Sequence, residues 1–396
     1  MQKPTLSVSF IIGNCQGTTL SQNFISYANL TTSMKTIPPI ILAVIFCLAS
    51  LNTGCTKQPA EISGKSPLVV YAAGSLIVPF GDLEKAFERN YPQIDVQAQY
   101  HGSIQVIRQV TDLHVPIDVI ATADASLLPM LMYTTKDPET GLPNADWYIR
   151  FASNRLSIAY RPDSLFAKEI TADNWFSILS SPNVKVGLAD PRFDAVGYRA
   201  LMVFALARDF YHDPTIFSNM FKGQFNFQFG IFNENNLTTI TIPEIVETKT
   251  GAHIVLRGAS MELIALLESG DLDYAFEYET VIQQHGLNML ELPDALNLGE
   301  ESDQQTYNTV QVNEEFQRFA SVKPVFHGER IGYAITIPSN APHPQEASLF
   351  IQFLLSPEGR AVMQADSHPL FDPAIGDNFE NIPASLQSYC TAMGTP

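Results

Sequence analysis

The sequence is poor in charged residues and poorer still in basic ones. Only 16% of its 396 residues are charged, and 23 basic against 41 acidic side chains leave a net charge of −18. A nucleic-acid-binding surface needs clustered Lys and Arg, so this balance argues against one. The four cysteines are too few to make a disulfide scaffold for so long a chain. No apolar run reaches the roughly 18 residues that a membrane-spanning helix needs.

The composition is otherwise that of a folded protein, with 45% hydrophobic residues and a length that suits two or three domain-sized units. The sequence lacks the short signatures of nucleophilic hydrolases, phosphate-binding loops, dinucleotide-binding folds and zinc proteases. Its eight histidines are scattered. A Ser-His-Asp constellation without a sequence signature stays open as an alternative, because such triads are defined in space.

The N-terminal segment has the pattern of an export signal. Residues 40–49 (IILAVIFCLA) are uniformly apolar and have the length of the hydrophobic core of a signal peptide. We take Met34, which precedes this run, as the biological start and residues 1–54 as a leader. The end of the segment resembles a bacterial lipoprotein signal, in which small residues precede a lipidated cysteine, here Cys55. The alternative is an ordinary cleaved signal peptide with Cys55 unmodified. Residues 55–67 are polar, which predicts a flexible tether between the lipid anchor and the folded part of an exported protein.

From residue 68 onwards, apolar strands alternate with helices, which predicts parallel pairing in an α/β fold. The first helix carries the stripe Phe80, Leu83 and Phe87 at spacings of three and four. Further strands are predicted at 117–121, 156–160, 184–188, 272–278 and 331–337, with helices at 174–179, 197–211 and 261–268 and one long helix at 345–363. Residues 212–250 have no clean period, and we interpret them as an insertion with some strand content.

Small residues recur where a strand gives way to a helix. Gly74-Ser75 and Gly102-Ser103 follow the first two strands, and Ser260 and residues 194–197 stand just before two later helices. A helix N-terminus has unpaired N–H groups and partial positive charge, and a serine adds a hydroxyl, so converging helix starts bind an anion without Lys or Arg. One such turn is usually a plain helix cap. Two in succession favour a ligand site, since α/β sheets bind ligands at the carboxyl ends of their strands.

Several longer motifs carry a specific resemblance. They are YAAGSL at 71–76, HGS at 101–103, IDVIATAD at 117–124, ADWY at 145–148, GYR at 197–199, LLESGDLDY at 266–274 and QHG at 284–286. Together they resemble the periplasmic oxyanion-binding proteins of ABC transporters, most closely the tungstate/molybdate-binding branch, from residue 68 to about 363 apart from the insertion.

The resemblance implies an α/β, two-lobed periplasmic binding protein fold of type II with the ligand in the interlobe cleft. Lobe 1 would comprise residues 68–158, lobe 2 residues 159–281 with the insertion at about 212–250, and residues 282–396 would return to lobe 1. The implied function is capture of tungstate or molybdate for a membrane permease and its ATPase subunit. The implied protein is a monomer without cofactor that catalyses no reaction, and its hinge would lie near Ala159 and Val281.

The resemblance also implies the ligand positions: Gly74, Ser75, Ser103, Asp194, Ala195, Val196 and Tyr278. In the family an aspartate equivalent to Asp194 and a glutamate bring carboxylate oxygens to the metal centre of the anion. The glutamate position falls on Ser260 here, so we expect Ser260 to contribute hydrogen bonds and Asp194 to be at most one carboxylate contact. Glu277 precedes Tyr278 on an alternating strand, and its side chain is predicted to face away from the site.

The sequence leaves three alternatives open for the ligand and the class of protein. The ligand could be another tetrahedral oxyanion such as sulfate, and the protein could be a sensor domain or an extracytoplasmic enzyme. An enzyme would need an acid/base pair with shifted pKa values, for which Asp194 and Glu277 are the only candidates. Arg108 and Arg199 lie in helices that begin near the site. Each is predicted to be solvated or to bridge the lobes rather than to contact the anion.

Overall fold

The computed structural model describes residues 64–315 and 324–394. The predicted leader, the predicted lipidation site Cys55 and most of the tether lie outside these residues. No helix within the described ranges combines the length and the apolar character needed to cross a membrane.

Strands and helices alternate through most of the described chain. The strands, numbered in chain order, are β1 Ser66–Ala73, β2 Ile94–His101, β3 Val119–Thr122, β4 Tyr148–Ser153, β5 Leu156–Tyr160, β6 Val186–Ala189, β7 Gly230–Glu234, β8 Leu237–Ile242, β9 Ile254–Arg257, β10 Tyr274–Tyr278, β11 Asn288–Leu290, β12 Val310–Glu314, β13 Val325–His327, β14 Gly332–Thr336, β15 Leu370–Asp377 and β16 Cys390–Ala392. The α-helices are α1 Ile77–Asn90, α2 Ser103–Thr111, α3 Trp175–Leu179, α4 Ala195–Phe210, α5 Ile216–Phe221, α6 Ser260–Ser269, α7 Glu279–Gln284, α8 Asp294–Asn297, α9 Gln304–Tyr307, α10 Pro344–Leu355, α11 Pro357–Ala365 and α12 Ala384–Gln387.

The strands form three sheets within the described residues. The first has the order β16-β15-β4-β14-β3-β1-β2, the second β11-β5-β10-β6-β9 and the third β13-β12-β8-β7. The chain passes from the first sheet to the second between β4 and β5 and returns after β11. Residues 156–158 and 288–290, which the predicted boundaries assign to lobe 1, therefore lie in the second sheet. We call the parts built on the first and second sheets lobe 1 and lobe 2.

The third sheet includes the segment interpreted as an insertion. Residues 212–250 contain α5, β7 and β8, and β8 pairs in parallel with β12, a strand far along the chain. The sequence pattern did not connect these two segments, because neither has enough apolar residues to stand out as a strand of a shared sheet.

The first α/β unit of lobe 1 forms as the pattern predicts. Phe80, Leu83 and Phe87 are fully buried along one face of α1, and the Phe87 ring meets the Phe350 ring of α10 at 5.3 Å. In the parallel pair β1 and β2, Ala73 lies opposite His101. The two strands therefore end side by side, and the Gly-Ser turns that follow them are neighbours.

The predicted long helix over 345–363 is wrong, because the structure has two helices there. Helix α10 ends at Leu355, and α11 begins at Pro357 with Ser356 as its N-cap, whose hydroxyl accepts a hydrogen bond from Gly359 N at 3.3 Å. A proline has no N–H for a helical hydrogen bond and disfavours helical geometry in the residue before it, so Pro357 ends the first helix and starts the second.

Candidate ligand-binding site

Gly74 and Ser75 stand at the end of β1, in a single 3₁₀ turn that leads into α1. The Ser75 side chain is buried, and its Oγ accepts a hydrogen bond from Tyr333 Oη at 2.9 Å. A Cβ added at Gly74 would lie 3.0 Å from Met261 Cγ, at the start of α6 in lobe 2. The first turn of lobe 1 thus packs directly against a helix start of lobe 2.

Ser103 is the first residue of α2 and is 2% exposed. Its Oγ accepts a hydrogen bond from Ala123 N at 3.0 Å, at the end of β3. Because a hydroxyl carries one donor as well as its acceptor lone pairs, this bond leaves the Ser103 proton able to donate to a ligand.

The lobes touch at the second Gly-Ser turn. Ile104 N donates a hydrogen bond to Phe193 O across the cleft at 3.2 Å, and a Cβ at Gly102 would lie only 2.3 Å from the same oxygen. This contact requires glycine at position 102. Together with the contact at Gly74, it defines a closed arrangement of the two lobes.

Asp194 joins two helix starts within lobe 2. It is the N-cap of α4, where its Oδ1 accepts from Val196 N at 2.9 Å, and its Oδ2 accepts from Ser260 N at 2.9 Å. Burial raises the pKa of Asp194, while hydrogen bonds from Ser260 and Val196 oppose that rise. Helix α4 begins two residues earlier than predicted, so Ala195 and Val196 lie in its first turn, and the Val196 N–H is already used by Asp194.

Ser260 was predicted to stand just before a helix, and the structure corrects this, because Ser260 is the first residue of α6. The N-cap is Ala259, which has no capping side chain, and the Ser260 N–H turns to Asp194 instead. The Ser260 side chain is 3% exposed, and the nearby hydroxyl lowers the pKa values of both Asp194 and Glu277. Ser260 therefore lies between two carboxyl groups.

Tyr278 ends β10 and presents its hydroxyl to Arg199, which donates to it from α4. Arg199 also donates to Ala123 O at 2.8 Å and pairs with Asp124 at 3.1 Å, both in lobe 1. Its guanidinium is thus the lobe-bridging group that the sequence predicted. Arg108 pairs with Asp112 on α2 at 2.7 Å.

The prediction that Glu277 faces away from the site is wrong. Glu277 is fully buried, the charge of Asp194 raises its pKa, and the Ser260 side chain contacts it. Its Oε1 accepts from Tyr278 N at 2.8 Å, whereas its Oε2 has no hydrogen-bond partner among the described residues. Burial, with the charge of Asp194 adding, raises the pKa of Glu277 to about 8. Successive side chains along a strand point to opposite faces of the sheet. The site lies beyond the end of β10, however, so the side chains of both Glu277 and Tyr278 reach it.

Sequence reasoning missed the polar chain behind the site. The Tyr333 hydroxyl on β14 donates to Ser75 Oγ and accepts from Asn154 Nδ2 at 3.1 Å. The same Asn154 amide also donates to Thr280 Oγ1 at 2.9 Å. This chain links lobe 1 to the start of α7 beside the crossing between β4 and β5. The sequence pattern did not mark Tyr333 as a site residue, because it stands inside a mostly apolar strand.

The donors that converge here are hydroxyl groups and helix N-termini rather than metal ligands. In the described ranges, no group of three or more His, Cys, Asp or Glu side chains is arranged to hold a metal ion. The site is enclosed, since Ser75, Ser103, Asp194, Ser260 and Tyr278 are all at most 6% exposed. Such a site suits a small polar solute held away from water.

Two α/β lobes that close over a buried polar site define a two-lobed binding protein. Residues 68–366 match the family model of the bacterial extracellular solute-binding proteins, and the chain belongs to that family.

Relatives match over most of the chain. A solute-binding protein of Petrotoga mobilis is 36% identical over 344 residues, which are 87% of this chain and 95% of the relative. The molybdate/tungstate-binding protein WtpA of Thermococcus kodakarensis is 32% identical over 360 residues, 88% of this chain and 95% of WtpA. Among solved structures, the periplasmic molybdate-binding protein of Azotobacter vinelandii superposes with a TM-score of 0.48 at 14% identity, covering 77% of this chain and 99% of that one.

Proposed function

We propose that this protein is the extracytoplasmic substrate-binding component of an ABC transporter, and that it captures tungstate or molybdate for a membrane permease and its ATPase subunit. The observation that carries the proposal is the contact between helix starts: Gly102 before α2 meets Phe193 O, Gly74 meets Met261 in α6, and Asp194 accepts from the first turns of α4 and α6. The side chains of Ser75, Ser103 and Ser260 are buried beside these contacts. The extensive similarity to a molybdate/tungstate-binding protein supports the same ligand class.

The donor set suits an anion that only accepts hydrogen bonds. Helix N-termini and hydroxyl groups attract a dianion through dipoles, which costs less desolvation than burying a lysine or arginine for each charge. Arg199, the buried cation beside the site, is committed to Asp124, Ala123 O and Tyr278. Its positive charge stabilises the closed lobes while the neutral donors hold the ligand.

The geometry favours a binder over an enzyme. Asp194 and Glu277 both have raised pKa values, but both oxygens of Asp194 accept backbone N–H bonds and hold the starts of α4 and α6 together. We therefore assign Gly74, Ser75, Ser103, Ala195, Ser260 and Tyr278 to ligand binding and Asp194 to orienting the helix starts of lobe 2.

Export by lipid anchoring at Cys55 is part of the proposal. A substrate-binding component tethered by residues 55–67 would stay close to its permease. Cys55→Ser is expected to leave a precursor that keeps its leader and gains no lipid. Mass spectrometry of the native N-terminus would contradict this part if it found an unmodified chain that starts elsewhere.

Isothermal titration of the purified protein with tungstate, molybdate and sulfate tests the ligand. We expect tungstate and molybdate to bind one to one, and sulfate, which is smaller, to bind at least about tenfold more weakly because it leaves hydrogen bonds unmade. Preference for sulfate would replace the proposed ligand by another oxyanion, and binding of none of the three would overturn the proposal.

A further inference from the structure

Glu277 is a buried acid that the proposed ligand set leaves unexplained. It is 0% exposed near the end of β10, and its Oε1 accepts a single backbone hydrogen bond from Tyr278 N. Its Oε2 has no hydrogen-bond partner among the described residues. Buried polar atoms without a partner are rare, because each costs the desolvation of that group. Such an atom beside a ligand site calls for a bond that forms when the ligand arrives.

Two polar neighbours of Glu277 belong to the candidate site, and across the sheet it lies opposite Ser157 on β5, whose hydroxyl donates to Glu279. Asp194 at the start of α4 raises its pKa, and Ser260 at the start of α6 lowers it. Tyr333 on β14 and Tyr278 on its own strand are the other titratable groups that interact with it electrostatically, and burial raises the pKa of both phenols. Neither phenol titrates near neutral pH, so the charge of this space is set by the two carboxyl groups and by Arg199, which bonds to Tyr278 and lowers the pKa of Asp194.

The two carboxyl groups differ in how well their negative charge is solvated. Asp194 accepts two backbone N–H bonds at 2.9 Å, which stabilise its ionised form. Glu277 accepts one such bond and has no cation paired with it in the described residues. A tetrahedral dianion placed against two ionised carboxylates in a closed, water-poor space would be strongly repelled. Where neither carboxylate bonds to the metal centre of the anion, this repulsion is smallest when one carboxyl is neutral, and Glu277 is the one that gives up its charge at the lower cost.

We propose that Glu277 contacts the bound oxyanion as a neutral carboxylic acid and donates a hydrogen bond to it, so that ligand capture is coupled to a proton on this side chain. The inference rests on the proposed function, since it needs an oxyanion in the site. It adds a hydrogen-bond donor that the sequence did not predict, and it makes affinity depend on pH.

The direction of the pH dependence follows from linkage. In the closed arrangement, where Glu277 is buried, its pKa is about 8, and a neighbouring dianion raises it further. Below pH 8 the acid is already protonated and affinity is constant. Above pH 8 the free protein loses the proton that the complex needs, so affinity falls by up to about tenfold for each pH unit until the pKa of the complex is passed.

Calorimetric titration with tungstate from pH 7 to pH 10 tests the inference on the wild-type protein and on Glu277→Gln. Gln keeps the shape of the acid and a donor N–H but cannot ionise. We expect wild-type affinity to fall at least tenfold over this range and the Gln variant to change by less than about threefold. At pH 9, wild-type binding should take up a proton, seen as a heat that depends on the ionisation enthalpy of the buffer, and the variant should not. Glu314→Gln, which removes a buried acid at another place, should behave like the wild type.

Each other outcome has a defined meaning. Coinciding pH profiles for the wild type and Glu277→Gln would overturn the inference and leave the proposed function standing. A loss of more than about 100-fold for the variant at pH 7, with a six-oxygen tungsten shell in wild-type X-ray absorption spectra, would overturn it in favour of an ionised carboxylate that ligates the metal centre. Failure of the wild type to bind tungstate, molybdate or sulfate at pH 7 would overturn both proposals.

Discussion

The two faces of the closed site differ in charge. The face of lobe 1 presents Ser75 and Ser103, neutral hydroxyls at the ends of two parallel strands. The face of lobe 2 presents the carboxyl groups of Asp194 and Glu277 with Ser260 between them. Both faces are buried, so burial alone does not distinguish them.

The difference suggests a division of tasks. Neutral hydroxyls attract a dianion without repulsion, so the lobe 1 face is suited to first contact. The lobe 2 face can approach the anion only because its two acids are neutralised in different ways, Asp194 by backbone N–H groups and Glu277 by a proton. We therefore expect changes that block the approach of the two faces to affect binding most, and changes in acids outside the site to affect it least.

The largest expected effect comes from Gly102→Ala. The backbone at Gly102 has φ −59° and ψ 143°, which any residue adopts, so the open form tolerates alanine. In the closed form the new Cβ would meet Phe193 O at 2.3 Å, and a backbone oxygen cannot rotate away. Overpacking of this kind costs about 3 kcal/mol, or about 100-fold in affinity for tungstate by calorimetry.

A matched control is Gly81→Ala on α1, where the added Cβ has no atom within 4 Å. It should bind like the wild type. Small-angle scattering should show compaction with tungstate in the control and much less in Gly102→Ala. Wild-type affinity in Gly102→Ala would mean that the bound state does not need this interlobe contact.

The second largest effect on binding is expected for Asp194→Asn, which changes the carboxylate that joins the starts of α4 and α6. In Asp194→Asn the amide oxygen can still accept from Val196 N, but the NH₂ group then faces Ser260 N–H, donor against donor. An unsatisfied buried donor costs about 1.5–3 kcal/mol, which should lower both the unfolding free energy and the affinity. Thermal unfolding and calorimetry measure the two. A variant that unfolds like the wild type would show that Asp194 does not hold the two helix starts together.

The sequence predicted much of this geometry because the signals were local. The Gly-Ser turns at strand ends and the apolar stripe of α1 depend on neighbouring residues alone. The missed features depend on distant pairings. Glu277 reaches the site because Asp194 and Ser260 come to the same strand end, and Tyr333 meets Ser75 only after β14 enters the sheet between β3 and β4. No local period records those meetings.

A smaller effect is expected for single hydroxyls on either face. Ser103→Ala and Ser260→Ala each remove one proposed hydrogen bond to the ligand, worth about 1–2 kcal/mol, or about 5- to 30-fold in affinity. Ser103→Ala also removes the acceptor of Ala123 N and should lower the unfolding free energy as well. Ser348→Ala on the surface of α10, where the hydroxyl bonds to Pro344 O, is the control and should change nothing. If Ser260→Ala alone leaves the affinity unchanged, the Ser260 hydroxyl interacts with Asp194 and Glu277 and does not bind the ligand.

The smallest effect on binding is expected for Glu314→Gln, and this variant separates burial from function. Glu314 ends β12, is 2% exposed, and has no hydrogen-bond partner for either carboxyl oxygen among the described residues. Burial, with the charge of Asp190 adding, raises the pKa of Glu314 to about 8, as it does for Glu277. Its neighbours, however, are the Asp190–Arg192 ion pair and not the helix starts of the site.

Both acids should therefore change stability in the same direction with pH. A carboxyl with a raised pKa stabilises the folded state fully at pH values below the unfolded pKa, about 4.3, and that contribution is lost as the pH rises through 8. Glu314→Gln should thus gain about 1–3 kcal/mol of unfolding free energy relative to the wild type on going from pH 5 to pH 8, measured by denaturant unfolding. Glu277→Gln should show the same gain, but only Glu277→Gln should also remove the pH dependence of tungstate affinity. A pH-dependent affinity that disappears in Glu314→Gln as well would mean that buried charge outside the site also controls closure, and the distinction between the two acids would be lost.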